Sequence, residues 1–444
     1  MKRLIDYYLT QWRTNLEHKP LLLRGARQVG KTYAARSLAP SFDTFIEINF
    51  EQKPRFSAFF ETDLDANRIV RDIEITTGKV IAPGKTLLFF DEIQNAPKVI
   101  SALRYFYEQI PQLHIIAAGS LLEFQLESVG MPVGRVQSFF MQPLSFLEFL
   151  VARNETKIAL YLQEIDHQSV SSPVHEKILG LYGEYMAVGG LPEATYHWCQ
   201  HKSFKHIEEI QRTLVETYRQ DFEKYGRQGR IAHLSLLFER IPGMQGRKFK
   251  HTHVSDTLKK KDIAPAFALL EKAGIVHKIT HSAAQGLPLA AQEDHERFKP
   301  LFLDIALAQT LLGPGQGTWI VDPIGTCINK GELAECFVGQ EMLAYAKPDM
   351  KIGLHYWLRE ARSSNAEIDY VAVINGQIIP IEVKSGAQGH LKSLHLFLNE
   401  HPTTPYGIRL YTGLPYIDTP IRSYPLYCTP KLFLDSTRFL SLCQ

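Results

Sequence analysis

The sequence predicts an α/β protein built in several modules, and three observations carry that expectation. A short apolar run, Leu21 to Leu23, turns at Gly25 and reaches Gly30-Lys31-Thr32. Strand-like runs then alternate with helical ones as far as residue 144, and near the C-terminus two β-rich runs flank Asn375-Gly376. The chain has 444 residues, a length that suits about three domains. With 45% hydrophobic and 22% charged residues it reads as globular rather than disordered.

The first module opens with LLLRGARQVGKT, which fits G-x-x-x-x-G-K-[ST] at Gly25, Gly30, Lys31 and Thr32. A strand precedes it and a helix-compatible run, TYAARSLA, follows, which is the context that motif requires. Physically, the two glycines let main-chain N–H groups of Ala26, Arg27, Gln28 and Val29 turn around phosphate oxygens. The helix start at Lys31 to Tyr33 adds positive potential. Lys31 is placed for the β- and γ-phosphates of ATP and Thr32 for Mg²⁺.

LLFFDEIQ, Leu87 to Gln94, is a buried-strand run that ends in two acids. Asp91 suits the Mg²⁺ shell, and Glu92 suits a base that orients the attacking water. Further strands are expected at Phe45–Phe50, His114–Ser120 and Gln137–Leu144, with helices between them. That alternation predicts a parallel sheet covered on both faces. Ser120 ends its strand either as a γ-phosphate sensor or as a helix-capping serine. Arg135 stands in a loop, either as an arginine finger or as a solvated side chain.

From Phe146 to Tyr225 the pattern is helical, broken by VGGLPEA at Val188–Ala194, to which no chemistry is assigned. Beyond Gly229 an amphipathic helix, a basic stretch, a second helix stopped at Gly274, and a turn in SAAQGLPL suit a winged helix-turn-helix. Its Arg247, Lys248, Lys250, Lys259, Lys260 and Lys261 are candidates for DNA phosphate contacts or for the solvated face of a protein-docking module.

In NAEIDYVAVINGQIIPIEVKSG the Asn375-Gly376 pair predicts a two-residue hairpin turn. That turn sets Asp369 opposite Glu382, with Lys384 facing Glu367 on the same side. Facing carboxylates repel, so they are held either by a divalent cation or by ion pairs with Lys384 and nearby arginines. Glu335, in the helical run GELAECFVGQEML, is a candidate to join them. Pro380 lacks an N–H, so a bulge there would shift the register.

The formal charge of +2 confines any nucleic-acid contact to local patches. Five scattered cysteines form no C-x-x-C, which argues against zinc and disulfides and fits a cytoplasmic protein. The N-terminus lacks the apolar core of a signal peptide, and no run approaches the roughly 18 apolar residues of a membrane helix.

Together RGARQVGKT, LLFFDEIQ, MQPLSFLEFL, VGGLPEA, LLEKAGIVHKI, GELAECFVGQEML, SSNAEIDYV and IPIEVKSG resemble a family of bacterial and archaeal ATPases. Its members join an N-terminal AAA-type domain to a C-terminal DUF4143 domain. The C-terminal part also resembles the PD-(D/E)xK nuclease fold. That resemblance implies metal ligation by Glu335, Asp369 and Glu382, and catalysis by Asp369, Glu382 and Lys384. It implies a P-loop AAA-type parallel-sheet domain at 1–150 and a helical extension at 151–226. A winged helix-turn-helix at 227–298 and a C-terminal α/β nuclease-like domain at 299–444 complete the expectation. The implied ligands are ATP and Mg²⁺, and the implied partners are DNA, a protein, or further copies of the chain.

Overall fold

The protein is described by a computed structural model covering residues 1–119, 126, 130–165, 170–225, 228–313, 315–329, 331–360, 365–386 and 391–443. It divides into two compact units, one of residues 2–142 with 347–351, the other of residue 1 with 143–346 and 352–444.

The first unit holds a five-stranded sheet. Its strands are β1 (Leu21–Arg24), β2 (Thr44–Asn49), β3 (Thr86–Asp91), β4 (His114–Ala118) and β5 (Gln137–Phe140), in the order β2-β3-β4-β1-β5. Every pairing in it is parallel, as expected. All six residues of β3 are buried, as a central strand covered on both faces requires. One face packs Ile46, Ile48, Leu88, Phe90 and Ile115 against helices α3 (Ala66–Thr77) and α4 (Lys98–Gln109). Helix α1 (Leu4–Thr14) contacts α2 (Lys31–Leu38), which packs on β4. The chain leaves β1 through the glycine loop and α2 and crosses to β2 at the far edge. Strand order therefore reverses beside β1, and ligands of open α/β sheets bind at such a point, outside the carboxyl ends of the strands.

The second unit explains two motifs that carry no chemistry. Ser145 caps the helix Phe146–Ala152 in a reciprocal box with Glu148. The helix Ser172–Val188 ends at Gly189, whose φ of +79° suits glycine. The next glycine accepts a hydrogen bond from the Leu144 N–H at 2.6 Å. A Cβ on Gly190 would overlap the Leu144 carbonyl oxygen. Asp304 completes the joint: its carboxylate accepts from Gly190 N at 2.7 Å and from Ala306 N and Leu307 N at the start of the helix Ile305–Leu312. The Gly-Gly pair is thus a docking point between backbones.

Its sheet has eight strands: β6 (Val276–Ser282), β7 (Glu293–Phe302), β8 (Leu354–Glu360), β9 (Asn365–Ile374), β10 (Gln377–Val383), β11 (Gly407–Tyr411), β12 (Tyr416–Asp418) and β13 (Ile421–Pro425). Their order is β12-β13-β11-β10-β9-β8-β6-β7, with mixed pairing. Helices Gln228–Arg240, His251–Val254 and Lys260–Lys272 precede β6 and β7. Strand β6 also pairs in parallel with β8, so this hairpin runs on into the sheet that holds the acidic strands. Asn375 and Gly376 adopt φ of 50° and 75°, and β9 pairs with β10 from Ile374–Gln377 through Tyr370–Ile381 without a shift. Pro380 pairs with Val371 in that ladder, and pairing with β11 begins one residue later, at Ile381. No bulge arises. Among the described residues no helix is long and apolar enough to cross a membrane, and all five cysteines are free thiols.

Candidate functional site

Between β1 and α2 the main chain passes through three left-handed residues: Gly25 at φ +130°, Gln28 at +66° and Gly30 at +95°. A Cβ at Gly25 would overlap the Met141 carbonyl oxygen. Ala26 and Val29 are buried and Gln28 is exposed, so what this loop offers a ligand is chiefly main chain. Arg3 braces it from α1's start, donating from Nη1 to Val29 O at 3.0 Å and from Nη2 to Gln142 O at 2.8 Å. Lys31 is buried and donates from Nζ to Gly25 O at 2.9 Å and Ala26 O at 2.7 Å. Burial lowers its pKa to about 8, against the pull of Glu92 and Asp91. Such a desolvated ammonium, held by carbonyl dipoles inside a ring of main-chain amides, fits a polyanion.

Asp91 ends β3 directly beside α2. Its Oδ2 accepts from Thr32 Oγ1 at 3.1 Å and from Asn49 Nδ2 at 3.2 Å. Burial raises its carboxyl to about 6, and the charge of Glu92 adds to the shift. The Thr32 hydroxyl and the Asp91 carboxylate are hard oxygen donors side by side, and they fit Mg²⁺. Glu92 has a left-handed backbone, φ 54°, and its carboxylate accepts from the Gln94 amide. A Cβ at Gly119, where β4 ends, would overlap the Gln94 side-chain oxygen. Tyr33 is half exposed on α2. Arg135 pairs with Glu108 at 3.3 Å and lies over the Tyr107 ring. Ser120 lies outside the described residues. Asn49, Arg3 and Gln94 escape sequence reasoning. Only Gln94, next to the acid pair, carries a local signal.

The acidic strands form a second constellation. Glu335, on the helix Gly331–Tyr345, converges with Glu367 and Asp369 on a residue the sequence did not single out, Lys299 of β7. Its Nζ lies 2.8 Å from Glu335 Oε1, 2.6 Å from Glu367 Oε1 and 3.8 Å from Asp369 Oδ1. Asp369 accepts from Val383 N at 2.7 Å, and Lys384 pairs with Glu382. Burial pushes Glu335 up to about 8 and Glu382 to about 7, and it raises Asp369 as well. Lys299 is fully buried, which opposes its charge, but Glu335, Asp369 and Glu367 outweigh that and raise its pKa. Among the described residues no group of three or more His, Cys, Asp or Glu side chains is arranged to hold a metal ion. Of the expected ligands, Glu335 and Asp369 pair with Lys299, while Glu382 pairs with Lys384.

Three of the six basic residues singled out pair with carboxylates of the same unit. Arg247 pairs with Glu332 at 2.7 Å, Lys248 with Glu360 at 2.9 Å, and Lys260 with Glu296.

Residues 17–150 match the family model described as AAA domain, AAA_14. Residues 17–150 are an AAA domain. Residues 179–317 match a domain of unknown function, DUF8612, and residues 330–423 match another, DUF4143. The chain therefore joins an N-terminal AAA domain to a C-terminal DUF4143 domain. Among solved structures, the Walker-type ATPase PABY2304 of Pyrococcus abyssi is similar at 15% identity and a TM-score of 0.44, over 69% of this chain and 94% of that one. C. elegans PCH-2 is similar at 13% identity and a TM-score of 0.27, over 48% of this chain and 61% of that one. No curated protein sequence matches.

Proposed function

We propose that the AAA domain binds and hydrolyses ATP with Mg²⁺. The observation that carries this is the meeting of Lys31, Thr32 and Asp91 at the carboxyl ends of β1 and β3. Main-chain amides from Gly25 to Tyr33 cradle the phosphates, Lys31 neutralises their terminal charge, and Thr32 and Asp91 hold the ion. Mg²⁺, when bound, neutralises charge that develops on the transferred phosphoryl group. Glu92 orients and polarises the water, and the Gln94 amide fixes its carboxylate. Phosphate release under saturating Mg-ATP tests the assignment. Lys31→Ala is expected to abolish both nucleotide binding and turnover. Glu92→Gln is expected to keep binding and lose turnover by about 10²–10⁴-fold. Turnover undiminished in both variants would refute it.

For the rest of the chain the geometry favours a nucleotide-gated switch that binds a protein partner, or further copies of itself, in the cytoplasm, over a DNA-cleaving enzyme. The specific support is that Arg247, Lys248 and Lys260 already face carboxylates of the same unit. The cleavage reading through Asp369, Glu382 and Lys384 is tested by incubating the protein with duplex and single-stranded DNA plus Mg²⁺ or Mn²⁺. Cleavage that Lys384→Ala removes would reinstate it.

A further inference from the structure

The carboxylate cluster of the eight-stranded sheet raises a question separate from ATP hydrolysis: what balances four acids gathered in one place? Glu335 comes from a helix, Glu367 and Asp369 from β9, and Glu382 from β10. Glu335 and Glu382 are buried, Glu367 and Asp369 are half-buried, and Glu382 Oε2 has no hydrogen-bond partner. A divalent cation is one way to hold such a set. The structure shows another. Lys299 Nζ stands within ion-pair distance of three of the four carboxylates, and Lys384 meets the fourth.

Three features separate Lys299 from a lysine that merely leans in. It has no exposed surface at all. It projects from the interior of β7, paired at that residue with Ile279 of β6, so its backbone is held by a ladder rather than by a loop. The Tyr356 ring lies 5.3 Å from its Nζ and covers it further. An ammonium fixed in this way has no solvent-exposed position to retreat to. A second cation entering among the same oxygens would meet it at close range in a medium that screens poorly.

We propose that Lys299 is the permanent counter-cation of this cluster and takes the place of a metal ion there. The acids and Lys299 then form a closed ion-pair joint. It ties the helix Gly331–Tyr345 and the β6–β7 hairpin to the strands β9 and β10. The cluster admits a divalent ion only when the lysine is removed.

The experiment is a Mn²⁺ titration of the full chain without nucleotide, followed by electron paramagnetic resonance. Four proteins are compared: the unaltered chain, Asp369→Asn, Lys299→Ala, and Lys299→Ala with Asp369→Asn. The unaltered chain and Asp369→Asn should bind Mn²⁺ equally, because whatever the AAA domain takes up is common to both. Lys299→Ala should gain one ion at least tenfold tighter than any in the unaltered chain, and the added Asp369→Asn should remove it. The proposal is overturned if the unaltered chain binds an ion that Asp369→Asn loses, or if folded Lys299→Ala gains none. Should Lys299→Ala not fold, Lys299→Met keeps the side-chain length and the first comparison still decides.

Discussion

Lys31 is kept charged in a place that disfavours charge, and that tension is measurable. Its pKa in the folded chain is about 8, below the usual 10.5. A bound polyphosphate favours the ammonium and moves the pKa back up. Nucleotide binding at pH 8.5 should therefore take up protons. Calorimetry in two buffers of different ionisation enthalpy reads that uptake, which should fade as the pH is lowered to 6.5, where Lys31 is already charged. Asp91 has the opposite sign. Its carboxyl is raised to about 6, so an ion that binds the carboxylate expels a proton near that pH. Lys31, Thr32 and Asp91 were legible in the sequence because each sits inside a short linear pattern whose spacing the chemistry dictates. Asn49 and Lys299 were not. Asn49 reaches Asp91 across a sheet pairing, and the acids around Lys299 come from elements 36 to 70 residues away.

At the scale of elements, the glycines that matter are those where two backbones touch. Gly190→Ala places a methyl group against the Leu144 carbonyl, with neighbouring backbone unable to yield cheaply. The substitution should cost about 1–3 kcal/mol, as overpacking does, and lower the denaturant midpoint with little change in slope. Gly180→Ala, which meets nothing within 4 Å, is the matched control. A second element-level effect lies at β4, where His114 stacks on His18 at 3.7 Å beside Trp12. Burial lowers the pKa of His18 from 6.5 to about 4, and His114 contributes to the shift. Between those values the unfolded chain binds the extra proton, so the stability that His18 contributes is complete above pH 6.5 and is lost as the pH drops toward 4. The difference in melting temperature between the unaltered chain and His18→Phe should shift against the unaltered chain as the pH falls across that window. The strand–helix alternation of 21–144 was readable from periodicity. The union of β6 with β8 was not, since a parallel pairing between residues about 75 apart leaves no trace in local pattern.

For the whole molecule, a formal charge of +2 leaves little long-range attraction for a polyanion. The basic stretch is further offset by Glu332, Glu360 and Glu296. Replacing Lys259, Lys260 and Lys261 together by alanine should change duplex DNA affinity by less than about threefold, with a shallow dependence on salt. A loss of an order of magnitude or more, steepest at low salt, would restore the nucleic-acid reading for this face.

The eight-stranded sheet also sets a timetable for the newborn chain. Strand β7 leaves the ribosome roughly 70 residues before Asp369, and at about 5–20 residues per second it waits several seconds for its acids. It is an edge strand even in the finished sheet. An inward-pointing charge is one of the devices that stop such an edge from recruiting a stray chain. Until Glu335, Glu367 and Asp369 are synthesised, Lys299 keeps that edge wet. Once they arrive, the same charge seals it.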